Sequence, residues 1–271
     1  PNVNLDALRP YKGYNSIRET DDVASSRYNS LQLSWNRRFS AGWAFGMAYT
    51  LSKSMDDGSA QRDIVPDTYY VHNLWVVINY LYELPFFRGQ SNLLGKLVGG
   101  WQLSGITQFQ TGLPGPAGGT GSVAAGNDYA GVGQDGSLNG NGQFWVINGT
   151  PTILHQFAAN GSKDNLYWFS TTNPDGSPIF TAPPKGTFNH QDGIRNIIHN
   201  PGFQNWNMGL FKKFPVTERT GLQFRAQAFN VFNHPNWDRA SFNPTNLSTF
   251  GKITGKTNDV RNLQFSLRYY F

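Results

Sequence analysis

An imidazole pair at the right spacing would bind a metal or move a proton, so the histidines are weighed first. His72, His155, His190, His199 and His234 lie in or beside stretches of loop composition, with no His-x-x-x-His or comparable interval among them. No Gly-x-Ser-x-Gly elbow is present to expose a serine nucleophile. Two acidic, Gly-containing runs offer hard oxygen donors for calcium: Asp56-Asp57-Gly58-Ser59, and Asn127-Asp128 to Asn141 with Asp135-Gly136-Ser137. Neither keeps the EF-hand spacing or closes on a bidentate Glu, and Asp, Asn and Gly are what tight turns require. The expectation is a chain that is not an enzyme, with no cofactor and no resident metal.

Binding groups remain. Trp145, Tyr167, Trp168 and Phe169 fall in a long Gly-, Asn-, Ser- and Pro-rich stretch and, if exposed, would stack on a ligand. Arg225 and Arg268 sit on the polar side of alternating segments, where they would line a substrate path or pair with carboxylates elsewhere in the protein.

The elements that must carry these residues are read from alternation of apolar and polar residues. Seven segments show it: Tyr28 to Phe39, Trp43 to Lys53, Val71 to Glu83, Gly100 to Thr111, Phe203 to Phe214, Gly221 to Asn233 and Leu263 to Phe271. In the last, Leu263, Phe265, Leu267, Tyr269 and Phe271 alternate with Gln264, Ser266, Arg268 and Tyr270. The segments are about twice the usual length of strands in soluble proteins and match the ~9–11 residues that cross a bilayer as a tilted strand.

Composition agrees. Of 271 residues, 15% are aromatic and only 14% charged, with 30 Gly, 15 Pro and no Cys. A soluble domain needs more surface charge than this, whereas a membrane barrel has an apolar outer face and an uncharged polar lumen. No run of ~18 apolar residues is present to form a spanning helix. The net charge of +5 is scattered along the chain, with Arg37-Arg38 and Lys212-Lys213 the only basic doublets, which argues against nucleic acid. The opening Pro1-Asn2-Val3-Asn4 has no leader character, so the chain reads as processed or as beginning within a longer polypeptide.

The fold class expected is therefore all-β, an antiparallel transmembrane β-barrel segment of about seven strands. Its parts are residues 1–27 as an incoming external loop, 28–111 as four strands, 112–202 as a large extracellular loop and 203–271 as the last three strands. The links fall into two sets, one on each side of the sheet. Ser40 to Gly42, Leu84 to Gly99 and Pro215 to Thr220 form one set, and each is expected to be shorter than every link of the other, Ser54 to Tyr70, Gly112 to Gly202 and His234 to Asp259. Short periplasmic turns and long extracellular loops are the habit of outer-membrane barrels. Aromatics expected at strand ends, Trp35, Trp43, Trp101, Tyr269 and Phe271, would form the interface girdles.

Several motifs then resemble a known family. Tyr28-Asn29-Ser30-Leu31-Gln32, Asn36-Arg37-Arg38-Phe39 and Ala48 to Lys53 are similar to late barrel strands of TonB-dependent receptors, most nearly the Oar-like branch whose members carry a carboxypeptidase-regulatory-like domain. Tyr82 to Phe86, Gly100 to Gly105, Gln227 to Pro235 and the closing Leu263 to Phe271 resemble the same proteins. The resemblance implies a Gram-negative outer-membrane location among lipid and lipopolysaccharide. It also implies recognition of the C-terminal strand by the barrel-assembly machinery, and coupling to the TonB system through an N-terminal part not visible in this sequence. The activity implied is uptake of a siderophore, glycan or peptide. The sequence departs from the family in lacking a plug and in its odd strand number. Two other readings stay open: a complete small barrel, with residues 1–26 as an eighth strand, acting as adhesin or pore, and a soluble β-sandwich binding module.

Overall fold

The computed structural model describes residues 10–14, 25–56, 69–87, 92–115, 146–157, 166–181, 197–242, 244, 246–257 and 260–271. Seven long strands make one antiparallel sheet in chain order: β1 (Ser26–Ser40), β2 (Trp43–Asp56), β3 (Tyr69–Glu83), β4 (Trp101–Gln110), β5 (Phe203–Pro215), β6 (Gly221–Phe229) and β7 (Asn262–Tyr270). Each corresponds to one of the seven alternating segments. The sheet is open, with β1 and β7 at its edges.

The register explains why alternation was so legible. Partners across the sheet keep apolar side chains on one face: Leu33, Tyr49, Val76 and Phe109 form one row, and Leu103, Leu210, Ala226 and Phe265 another. The opposite face carries Gln32, Thr50, Gln108, Asn205, Gln227 and Gln264. A slip of one residue in any strand would turn its apolar set to the polar side. Among the described residues no second sheet covers the apolar face: Phe265 and Leu267 are 67% and 66% exposed. That overturns the β-sandwich reading, which needs two apolar faces buried against each other.

The rows are also staggered. Following partners from Trp43 through Tyr82, Leu103, Leu210 and Ala226 leads to Phe265, yet β7 runs on to Tyr270. The short-turn ends therefore slip by about one residue per strand. A slip of ~3.3 Å per ~4.8 Å of strand spacing is a tilt of about 35°, the tilt of a barrel wall. On the same face of β5, Trp206 and Phe214 are eight residues apart, ~26 Å along the strand and ~21 Å along the membrane normal at that tilt, close to the height of the apolar band of such walls.

Turn chemistry sets the connections. Ala41 (φ 54°) and Gly42 (φ 87°) both take positive φ between the paired Ser40 and Trp43, the two-residue turn whose twist suits adjoining strands. The β3–β4 link instead carries a short helix, α1 (Leu93–Val98), capped by the Asn92 side chain, which accepts from the Gly95 N–H at 2.7 Å. The expected sorting of link lengths consequently fails at one place. Residues 84–100, on the short-turn side, outnumber residues 57–68 between β2 and β3. β2 and β3 run further outward than the sequence suggested, and α1 lengthens the inward link. β6 also ends at Phe229 rather than Asn233, because Asn230 and Asn233 turn to positive φ. Residues 10–14 form no strand, Ser26 already belongs to β1, and residues 1–9 and 15–24 of the proposed eighth strand lie outside the described residues.

The wall assignment is open to a paired test. Phe265→Arg is expected to lower the unfolding free energy in phospholipid vesicles by ~2–4 kcal/mol, and Gln264→Arg by less than ~1 kcal/mol. Urea titrations followed by tryptophan emission measure both, and equal losses would contradict the two-faced wall.

Candidate functional site

The buried hydrophobic core of this chain lies outside the wall. Leu166, Trp168, Phe169, Ile179, Phe180 and Ile198 from the β4–β5 connection pack with Ala240, Phe250 and Ile253 from the β6–β7 connection. Phe169 is the hub: it stacks on Phe242 with ring centroids 5.4 Å apart and meets Phe250 edge-on at 5.5 Å and Phe180 at 6.1 Å. A three-stranded sheet fastens the two connections, with Leu166–Phe169 between Ile153–Phe157 and Lys252–Ile253. Two loops that sequence alone leaves separate therefore fold as one module at the long-loop end of the wall.

Asparagines tie this module to the strand tops. The Asn200 side chain donates to Leu113 O at 2.9 Å and accepts from the Ala240 N–H at 3.0 Å, joining both connections. The Asn236 side-chain oxygen accepts from the Gln204 N–H at 3.0 Å, at the top of β5. Asn230, fully buried, donates to His234 O and accepts from the His234 N–H, each at 2.9 Å, while its own N–H donates to the Asn207 side chain at 3.0 Å. Buried amides of this kind are retained because each finds its partners, and together they determine where the chain leaves the wall.

The module's outer surface presents two cation–aromatic pairs on neighbouring segments. Lys252 Nζ lies 4.6 Å from the Tyr167 ring and Lys256 Nζ 5.2 Å from the Trp237 ring. Lys252 and Tyr167 are register partners, as are Lys256 and Trp237, and Asp238 and Arg239 are exposed beside them. Half-buried rings with ammonium groups alongside can stack on a ring or sugar face while meeting a carboxylate or phosphate.

The polar face of the wall carries the second group of candidates. Arg225 opposes Ser266, and Arg268 opposes Gln223, which in turn opposes Lys213. Arg225 donates to the Gln223 side chain at 3.2 Å, and Gln102 donates to Glu83 at 2.8 Å on the same face. The structure thus brings Arg225 and Arg268 together with Lys213, a basic cluster at the short-turn end.

The ligand-stacking expectation needs correcting for two residues. Trp168 and Phe169 are 7% and 1% exposed, because the second loop packs over them, and the Trp168 indole donates to His199 O at 2.6 Å. Tyr167, on the same strand, stays half-buried at the surface. Trp145 lies outside the described residues. Lys252, Lys256 and Trp237 were not singled out from sequence; the signal was an aromatic and two lysines in the last loop, with no pattern to say which rings would be covered.

The girdle residues sort by position. Trp43, Trp101, Tyr269 and Phe271 sit at the short-turn ends of their strands, with Trp101 edge-on to Phe214 and Phe224 at 6.4 and 6.0 Å and Tyr269 stacked on Phe271 at 6.0 Å. Trp35 does not belong to a strand end. β1 continues to Ser40, which leaves Trp35 in mid-wall, edge-on to Phe45 at 5.5 Å. Among the histidines, His155 meets Trp168 edge-on at 4.4 Å, His199 lies 3.3 Å from Gly112 O and His234 belongs to the asparagine network. His72 falls within β3 rather than beside a loop. His190 and the acidic runs beyond Asp56 lie outside the described residues.

A tilted, two-faced antiparallel wall with an external loop module defines an outer-membrane β-barrel protein. Residues 1–264 match the family model of the outer membrane beta barrel domain, and the chain belongs to that family. Its place is the Gram-negative outer membrane, where barrels as a class keep short turns on the periplasmic side and long loops outside. Neither the curated proteins nor the solved structures return a match.

Two expected outcomes follow from this geometry. Phe169→Ala, by emptying the module's centre, should cost ~3–5 kcal/mol of module stability. External protease would then cut the loops faster while the wall keeps its heat-modifiable, SDS-resistant migration. At a surface turn, Ser177 donates its N–H (2.9 Å) and hydroxyl (2.6 Å) to Asp175, holding that carboxyl below the usual carboxylate range. The turn's contribution is then complete above the unfolded-state value of ~3.9 and disappears only as pH falls through the lower folded-state value. The protection of the Ser177 amide, its exchange rate taken relative to the intrinsic rate at each pH, should stay constant down to about pH 4 and fall below it.

Proposed function

We propose that this chain supplies wall and external binding module to a TonB-dependent outer-membrane receptor that takes up a scarce nutrient, in the class of siderophores, glycans or peptides. The observation that carries the reading is the core shared by two external loops. It holds Tyr167 with Lys252 and Trp237 with Lys256 in place on the outside of the cell, where a capture surface has to be ordered before the ligand arrives.

The mechanism needs no bond chemistry, and the chain is proposed not to be an enzyme. Ligand stacks on the external rings, its anionic groups meet the lysines, and its path inward passes the polar wall face with Arg225, Lys213 and Arg268. Energy would come from the inner membrane through a plug and TonB-contacting segment. The proposed partners are lipid and lipopolysaccharide around the apolar face, and the barrel-assembly machinery at β7, whose terminal Phe271 is 95% exposed.

Cells carrying the protein are compared with a deletion strain for growth on limiting iron, glycan or peptide, and the uptake that differs is measured with and without a protonophore. Loss of that uptake on de-energisation is expected. Uptake that persists would replace the receptor with a passive pore, and a phenotype confined to surface attachment would replace it with an adhesin. Trp237→Ala combined with Lys256→Ala should weaken whole-cell binding of the nutrient about tenfold, since the pair's stacking and cation–π contacts are worth ~1–2 kcal/mol.

A further inference from the structure

The inward link between β3 and β4 holds an apolar surface that neither the wall nor the receptor reading uses. In α1, Leu93, Leu94, Leu97 and Val98 are 76%, 56%, 57% and 44% exposed, while Gly95 is buried. Phe86 and Phe87 beside them are also exposed. Water does not tolerate a patch of this kind without some covering partner.

The position of α1 indicates the partner. Lys212 of β5 opposes Trp101 and Phe224, all on the apolar face of the sheet. Its Nζ donates to Lys96 O at 2.6 Å and to Gly99 O, taking up carbonyls at the C-terminus of α1. The Trp101 indole donates to Leu97 O at 3.2 Å. The helix is thus bolted to the lipid-facing side of the wall, not the lumen side. Lys212 would be a costly residue on that face if it met hydrocarbon. It is instead 1% exposed beneath the helix, with its ammonium 4.8 Å from the Phe214 ring.

We propose that α1 is a membrane anchor on the outside of the barrel wall, its leucines embedded in the phospholipid leaflet that faces the periplasm. The occupant of the exposed face is acyl chain, because the face is continuous with the apolar wall and lies at the level of the Trp101 and Phe214 girdle. An interfacial helix of this kind sinks ~5–10 Å below the headgroups. Lys96, on the exposed side of the helix, is left to meet lipid phosphate. The inference rests on the wall reading, and the test separates the two.

The chain has no Cys, so Leu94→Cys, Phe265→Cys and Ser177→Cys each create a single thiol. The full chain, labelled at that thiol with an environment-sensitive fluorophore, is reconstituted in phospholipid vesicles whose acyl chains are brominated near the headgroup or near the chain end. The Leu94 probe is expected to lose as large a fraction of its emission as the Phe265 probe, and more to the shallow bromines than to the deep ones. The Ser177 probe should respond to aqueous iodide instead. A Leu94 probe that follows iodide like Ser177, with Phe265 still quenched by lipid, overturns the anchor and leaves the wall intact. A Phe265 probe that follows iodide overturns the wall and the anchor with it.

Discussion

Hydrocarbon offers no hydrogen bonds, and every backbone amide inside a membrane must therefore find a neighbour within the protein. Most other features of this molecule follow from that constraint. It requires strands in a continuous ladder, and once paired the strands have two faces that cannot be exchanged without reversing every side chain. The apolar rows from Leu33 to Phe109 and from Leu103 to Phe265 face lipid, and the Gln, Asn and Ser rows face the lumen. The same constraint explains why a soluble protein's usual arrangement is inverted here. The wall is only one sheet thick, so the buried hydrophobic residues gather in the loops.

The wall was legible in the sequence because its signal is local. Alternation within Leu263 to Phe271 needs no knowledge of the neighbouring strand, and all seven strands were found from it. Strand ends were less legible, since they depend on partners. β6 stops at Phe229 because Asn230 is pulled into contacts with Asn207 and His234, and neither contact can be seen from a period of two. Trp35 groups with the strand-end aromatics by residue type alone, whereas the turn at Ala41-Gly42 leaves it five residues inside the end of β1.

The external site was legible only in part. Trp168 and Phe169 read as exposed because they lie in a loop, yet they are covered by residues more than seventy positions later in the chain. Contacts at such separation leave no periodic trace. Once they are known, the roles divide by cover and not by period: both faces of Leu166–Phe169 hold buried residues, and Tyr167 alone of the four is left half-buried. Lys212 is equally opaque, since the sequence marks it only as half of a basic doublet, and only the fold shows it beneath α1.

The common core of the two external loops has a consequence for the entropy of recognition. A loop that orders only on contact gives up rotamer and backbone freedom at that moment, roughly 0.5–1.5 kcal/mol for each immobilised side chain. In this protein Tyr167 and Trp237 are already held by neighbours from a different part of the chain, so that loss has been met during folding. In the proposed capture role, encounters at the cell surface are then governed by collision and departure, with little waiting for a loop to find its shape.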